Sequence, residues 1–124
     1  MAKILVVDDE PFMRMTLVDM IEEAGHEVCA VESANEARAY LRQHPDTDLT
    51  LTDYNMRGET GASLIRTSRE EFRNVQFMIL TGSADEPELH GLGVPILHKP
   101  IGYVALTDAI ATKLASVAHI ACGD

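Results

Sequence analysis

The run Lys3–Val7, KILVV, is apolar without alternation and ends abruptly at Asp8-Asp9-Glu10. A strand with one face in water alternates apolar and polar side chains, whereas a strand buried on both faces need not. Such a strand needs packing layers above and below its sheet. In a chain of 124 residues, enough for one ordinary domain, that requirement points to helices covering both faces of a single sheet.

The remainder of the chain supplies those layers in order. Pro11 stands where a helix can begin, and Met13, Leu17, Met20, Ile21 and Ala24 recur at helical spacing before Gly25 closes the segment. Glu27–Val31 reads as a second strand, with Cys29 expected to be a small buried hydrophobe. Ser33 and Glu36 form a capping-box pattern opening a helix with Ala37, Tyr40 and Leu41, which Pro45 stops. Asp48–Thr52 is a third strand. After Gly61, the residues Leu64, Ile65 and Phe72 mark a third helix, and Val75–Leu80 a fourth strand. Between Ser83 and Gly93, Ser83 and Glu86 can cap a helix, but Pro87, Gly91 and Gly93 leave room for about two turns. Val94–His98 is a short fifth strand. Leu106, Ile110, Leu114 and Val117 space out a final helix, with a tail expected from His119. Five strands alternating with helices predict one α/β domain over residues 1–124, with a parallel sheet and right-handed crossovers.

Composition narrows the function. A chain 46% hydrophobic and 24% charged is neither disordered nor membrane-embedded, and no apolar run suits a signal peptide or membrane span. A cytoplasmic location is expected. The net charge of −10 argues against direct nucleic-acid contact, which needs a basic footprint. Cys29 and Cys122 have neither metal-site spacing nor a CxxC pattern; in a cytoplasmic setting no structural disulfide is expected, and Cys122 reads as free and exposed.

The chemistry lies at the ends of the strands. Taken singly, Asp53 is a turn-starting Asp, Asp8-Asp9 a helix cap, Thr81 a turn hydroxyl and Lys99 a solvated cation. All strand C-termini of a parallel sheet share one edge, and each of these groups follows its own apolar run. Two carboxylates about 5 Å apart repel by roughly 3 kcal/mol at an effective dielectric near 20, so three together hold protons or a cation. Oxygen ligands on loops favour Mg²⁺. With a lysine and a hydroxyl around one carboxylate, the set can cradle a phosphoryl group, and carboxylate nucleophiles that form aspartyl phosphates are known chemistry.

With LVVDD (Leu5–Asp9), LTLTD followed by YNM and RGETG, LTG (Leu80–Gly82) and HKP (His98–Pro100), the whole chain resembles a bacterial two-component response-regulator receiver domain. The resemblance implies a doubly wound, flavodoxin-like sheet of order 2-1-3-4-5. It implies that Asp53 accepts phosphate from a sensor histidine kinase or histidine phosphotransfer protein. Asp8, Asp9, Asp53 and the backbone carbonyl of Asn55 would position Mg²⁺, Lys99 would pair with the phosphoryl group, and Thr81 would move to hydrogen-bond it. Such a domain catalyses its own phosphorylation and dephosphorylation without being a turnover enzyme, and it passes the signal to a downstream protein that the sequence does not name. Lys99-Pro100 is the counterpart of the family's cis peptide.

Three departures stand out. Arg57 replaces the usual Pro; it reads either as a solvent-facing residue or as a cation beside the site that bears on donor recognition and phosphate lifetime. Ile96 replaces the usual switch aromatic, and Tyr103, on the final helix, does not take that role. Thr81 and Lys99 are only 18 positions apart, about one helical turn fewer than usual, so the fourth helix is short, displaced or partly unwound. Receivers attached to hybrid kinases show similar shortening. Met1, close before the first strand, reads as a native start or a domain edge. The end at Asp124 fits a single-domain regulator or a piece of a longer protein. Two other classes stay open: a receiver-like interaction module that works without phosphorylation, and an aspartyl-phosphate phosphatase. The phosphatase type would place its nucleophile at the first strand, the reverse of the order here.

Overall fold

The computed structural model describes residues 1–82 and 86–122, with side chains described as far as residue 115. Its elements run β1 (Lys3–Val7), α1 (Pro11–Glu23), β2 (Glu27–Val31), α2 (Ala34–Gln43), β3 (Leu49–Asp53), α3 (Gly61–Ser68), β4 (Gln76–Thr81), β5 (Ile96–His98) and α4 (Tyr103–Cys122). The five strands form one parallel sheet in the order β2-β1-β3-β4-β5, as the resemblance implies.

The unalternating run of β1 divides between two cores. Leu5 and Val7 face α2 and α3, packing with Ala37, Leu41, Ala62, Leu64 and Ile65. Ile4 and Val6 face α1 and α4, packing with Leu17, Ile21, Leu106 and Ile110. Successive side chains of a strand point to opposite faces, so each face must be covered. β3 is buried at every position for the same reason.

The helix ends follow local chemistry. Glu10, rather than either aspartate before it, caps α1: its carboxylate accepts from the N–H groups of Phe12 and Met13 at 3.3 and 2.7 Å. Pro11 stands at the first helical turn, where its missing N–H is not needed. Gly25 follows with φ +97°, a conformation open to a residue without Cβ. Ser33 caps α2 by accepting from Glu36 N–H, while the Glu36 carboxylate accepts from the N–H of Glu32.

Several expectations need correction. Cys29 is exposed, not buried, because β2 is an edge strand with only Val28 and Val31 packed against the two cores. Phe72 is buried but lies beyond α3, in the turn that returns the chain to β4. α4 does not fray into a tail at His119; its helical backbone runs to Cys122, with no Gly or Pro before Gly123 to stop it. β5 starts at Ile96, two residues later than expected. In place of a fourth helix between β4 and β5, the described residues hold one 3₁₀ turn, Pro87–Leu89. The helix start expected at Ser83 lies outside the described residues. The side chains of Val117 and Cys122 do too.

Candidate functional site

Strand register brings the predicted residues to one edge. Val7 pairs with Thr52, so Asp8 emerges level with Asp53, the last residue of β3. Asp53 pairs with Leu80, which puts Thr81 one step further along β4. Thr81 pairs with His98, and Lys99 follows, its N–H donating to the Thr81 carbonyl at 2.8 Å. The Lys99-Pro100 peptide bond is cis.

The side chains converge. Asp8, Asp9 and Asp53 each offer a carboxylate oxygen within 4.8 Å of the others. Lys99 Nζ lies 2.9 Å from Asp53 Oδ1. Asp8 is fully buried and Asp53 is 7% exposed, so both carboxylates have lost most of their water. That burial pushes both pKa values above the ordinary carboxylate range. For Asp53 the nearby Lys99 ammonium pulls back, and for Asp8 the Glu10 N–H does. Thr81 is buried beside them.

The helix-cap alternative for the aspartates fails on these contacts. Glu10 does the capping, and Asp8 Oδ1 accepts from the Glu10 N–H at 2.9 Å. Its other oxygen, Oδ2, is buried with no hydrogen-bond partner. A buried acceptor left bare is costly, of order 1–3 kcal/mol, and a charged one more. An oxygen in that state suits a cation, and all-carboxylate ligands suit a hard divalent one. The residues therefore fit Mg²⁺. Asn55 sits in the exposed loop two residues past Asp53.

Gly61 has a structural reason to be glycine. A Cβ there would lie 2.3 Å from the backbone oxygen of Asp53, which it approaches while its N–H donates to the Tyr54 carbonyl at 2.9 Å. The glycine lets α3 start directly behind the strand that carries Asp53.

One network near the site has no sequence signal. The Glu88 carboxylate accepts from the Tyr54 hydroxyl at 2.8 Å, the Thr60 hydroxyl at 3.0 Å and Arg66 at 3.0 Å. Arg66 also donates to the Glu88 carbonyl at 2.6 Å, and Arg69 to the Leu92 carbonyl at 2.7 Å. These bonds fasten the 3₁₀ turn onto α3, beside the residue that follows Asp53. The partners lie 22 to 34 positions apart, so no local pattern announces them. Ile96, at the position where the family carries an aromatic, packs partly buried against the core under α2 and α3. Tyr103 stands at the start of α4, partly exposed.

An acidic cluster at the C-terminal edge of a five-stranded parallel sheet, with a lysine on one of its carboxylates, is the arrangement of a receiver-type α/β domain. The chain belongs to the response regulator receiver domain family, whose model matches residues 4–111. It is thus a receiver domain of two-component systems, a family that takes phosphoryl groups from histidine kinases and binds Mg²⁺ through an acidic pocket. Over 81 residues it is 36% identical to the virulence transcriptional regulatory protein PhoP of Salmonella typhimurium, a match covering 65% of this chain and 36% of that protein. The chain thus spans about a third of the length of the curated relatives it matches. Among solved structures it is similar to a response regulator receiver domain protein from Clostridium thermocellum, with TM-score 0.87, 26% identity, and coverage of 97% of this chain and 99% of that one. It is also similar to a sensor protein from Polaromonas, with TM-score 0.83, 27% identity, and coverage of 93% and 97%. Among the described residues no helix is long and apolar enough to cross a membrane.

Proposed function

We propose that Asp53 is the phosphoacceptor of this receiver, served by Asp8, Asp9, Thr81 and Lys99. The observation that carries the reading is the bare, buried Oδ2 of Asp8 in a carboxylate triad whose central member touches Lys99 at 2.9 Å. A carboxylate oxygen of Asp53 attacks the phosphorus of a phosphohistidine. The P–N bond breaks, and the imidazole leaves with its electron pair and takes up a proton. Lys99 keeps Asp53 ionised against the push of burial, then neutralises the incoming phosphoryl oxygens. The Thr81 hydroxyl, buried at the end of β4, is within the same edge to donate to one of them. Mg²⁺, when bound, supplies charge neutralisation for the phosphoryl oxygens. Asp8, Asp9, Asp53 and the Asn55 carbonyl would hold it.

The donor is a sensor histidine kinase or a histidine phosphotransfer protein, and the output is a change in binding to a downstream protein. Residues 1–124 act as one receiver unit, in the cytoplasm where such kinases deliver phosphate. A net charge of −10 argues against direct DNA contact by this domain, so any transcriptional output, as in the name of the Salmonella relative, would need another module.

Incubation with Mg²⁺ and acetyl phosphate, followed by intact-protein mass measurement, tests the reading. One phosphate adds to the wild type and to Arg73→Ala, and none to Asp53→Ala. An adduct that persists in Asp53→Ala would overturn the assignment.

A further inference from the structure

Arg57 is the one departure from the family pattern that touches the acidic triad directly. Its backbone N–H donates to Asp9 Oδ2 at 2.9 Å, and its Nε lies 3.7 Å from that same oxygen. The side chain is otherwise 92% exposed at the mouth of the crevice, while Asp9 is 22% exposed. A proline at this position would offer neither the N–H nor the charge. One residue therefore does two separable things to Asp9. Its amide fixes the direction of the carboxylate, and its guanidinium places a positive charge beside an acid of the triad.

We propose that Arg57 is a tethered counter-ion that competes with the divalent metal for Asp9 and, once displaced outward, draws the anionic phosphodonor toward Asp53. The inference rests on the phosphoacceptor reading above and names how that site is tuned. A metal drawn to the triad meets a cation already held at one of its three ligands, and the two repel. Arg57 must swing outward as the metal enters, and its exposed stem has the freedom to do so. Outside the triad it faces the path of an incoming phosphate, beyond the reach of Lys99, which is held against Asp53. Because the guanidinium is solvated, its effect is modest and screened by salt. The amide contact does not need the Arg57 charge, so it stays when that charge alone is removed.

Two variants separate these parts: Arg57→Gln keeps the N–H and removes the charge, and Arg57→Pro removes both. Binding of Mg²⁺ alone is followed by calorimetric titration at about 0.02 M and about 0.5 M salt, where screening lengths differ several-fold. Labelling by acetyl phosphate is followed at saturating Mg²⁺. Arg57→Gln is expected to bind Mg²⁺ about two- to fivefold tighter than wild type at low salt, the range of an exposed ion pair, with the difference closing at high salt. The same variant is expected to label about two- to fivefold more slowly at low salt, so affinity and rate move in opposite directions. A purely structural role would move them together. Arg57→Pro should bind Mg²⁺ more weakly than Arg57→Gln at both salt concentrations, because Asp9 is no longer held in direction. Unchanged or weaker Mg²⁺ binding by Arg57→Gln, beside a wild type that binds and labels normally, overturns the proposal. A wild type that neither binds Mg²⁺ nor labels overturns the phosphoacceptor reading itself.

Discussion

Gly61→Ala probes how tightly α3 is pressed against the backbone of Asp53. The added Cβ would stand 2.3 Å from the Asp53 carbonyl oxygen and 3.1 Å from both its carbonyl carbon and Thr52 Cγ2. Van der Waals contact allows no approach that close, and the shortfall is about an ångström. Neither partner yields cheaply, since β3 is buried at every position and hydrogen-bonded to β1 and β4 on its two sides. The start of α3 must therefore move, straining the Gly61 N–H bond to Tyr54. Overpacking against fixed neighbours costs about 1–3 kcal/mol, and a backbone collision belongs at the upper end. The helical preference of Ala over Gly returns up to about 1 kcal/mol, leaving a net loss of about 2 kcal/mol. For a domain of this size that lowers Tm by roughly 6–10 °C. Gly102→Ala is the control, because a Cβ there meets nothing within 4 Å, and it should lose less than about 1 kcal/mol. Urea denaturation of both variants, with acetyl phosphate labelling of Asp53 as a second readout, makes the comparison. Stability of Gly61→Ala within about 0.5 kcal/mol of the control would refute the collision argument.

Other predictions concern polar groups around the site. Tyr54→Phe removes one of three donors to Glu88 and should cost about 1–1.5 kcal/mol at neutral pH in urea melts. The Tyr54 hydroxyl holds Glu88 below the ordinary carboxylate value of 4.5, with Thr60 and Arg66 adding to it, so its stabilisation is complete above that value and lost as pH falls below it. Tyr54 in turn is pushed up to about 12, chiefly by Glu88, so its share is complete below its ordinary 10.0 and lost as pH rises toward about 12. Glu88→Gln should accordingly flatten the acid limb of the stability profile, and an unchanged limb would show that the network contributes nothing. Burial raises the pKa of Asp8, so the metal-free protein loses stability as pH rises from 3.8 through the folded value. Asp8→Asn should then be about 0.5–1 kcal/mol more stable than wild type without metal at neutral pH. It should also lose the thermal stabilisation by Mg²⁺, which for the wild type is about 1.4 kcal/mol at ten times the dissociation constant.

Much of this molecule is legible from residues that act locally or repeat at a regular interval. KILVV states that its strand is covered twice, and the helices that cover it announce themselves by spacing and by Pro11, Gly25 and Ser33. The candidate site is legible because a parallel sheet delivers every strand end to one edge, so polar groups that each end an apolar run must meet there. Sequence alone did not decide what each acid does. On paper the helix cap belongs to Asp8-Asp9, since Asp is a preferred capping residue. The turn geometry gives the cap to Glu10 and leaves Asp8 Oδ2 buried and bare. Cys29 looked buried in an apolar run, but its strand's place at the sheet edge exposes it. Strand order is a property of the assembled sheet and is written in no single segment.

The sequence by itself determined the layered α/β architecture and the edge at which Asp8, Asp9, Asp53, Thr81 and Lys99 gather, because burial period and strand direction are local properties. Only the tertiary structure decided which carboxylate oxygen lacks a partner, that Arg57 rests on Asp9, and that Glu88 clamps the shortened segment beside Tyr54. Those contacts join residues 22 to 48 positions apart, and their geometry exists only once the sheet has closed.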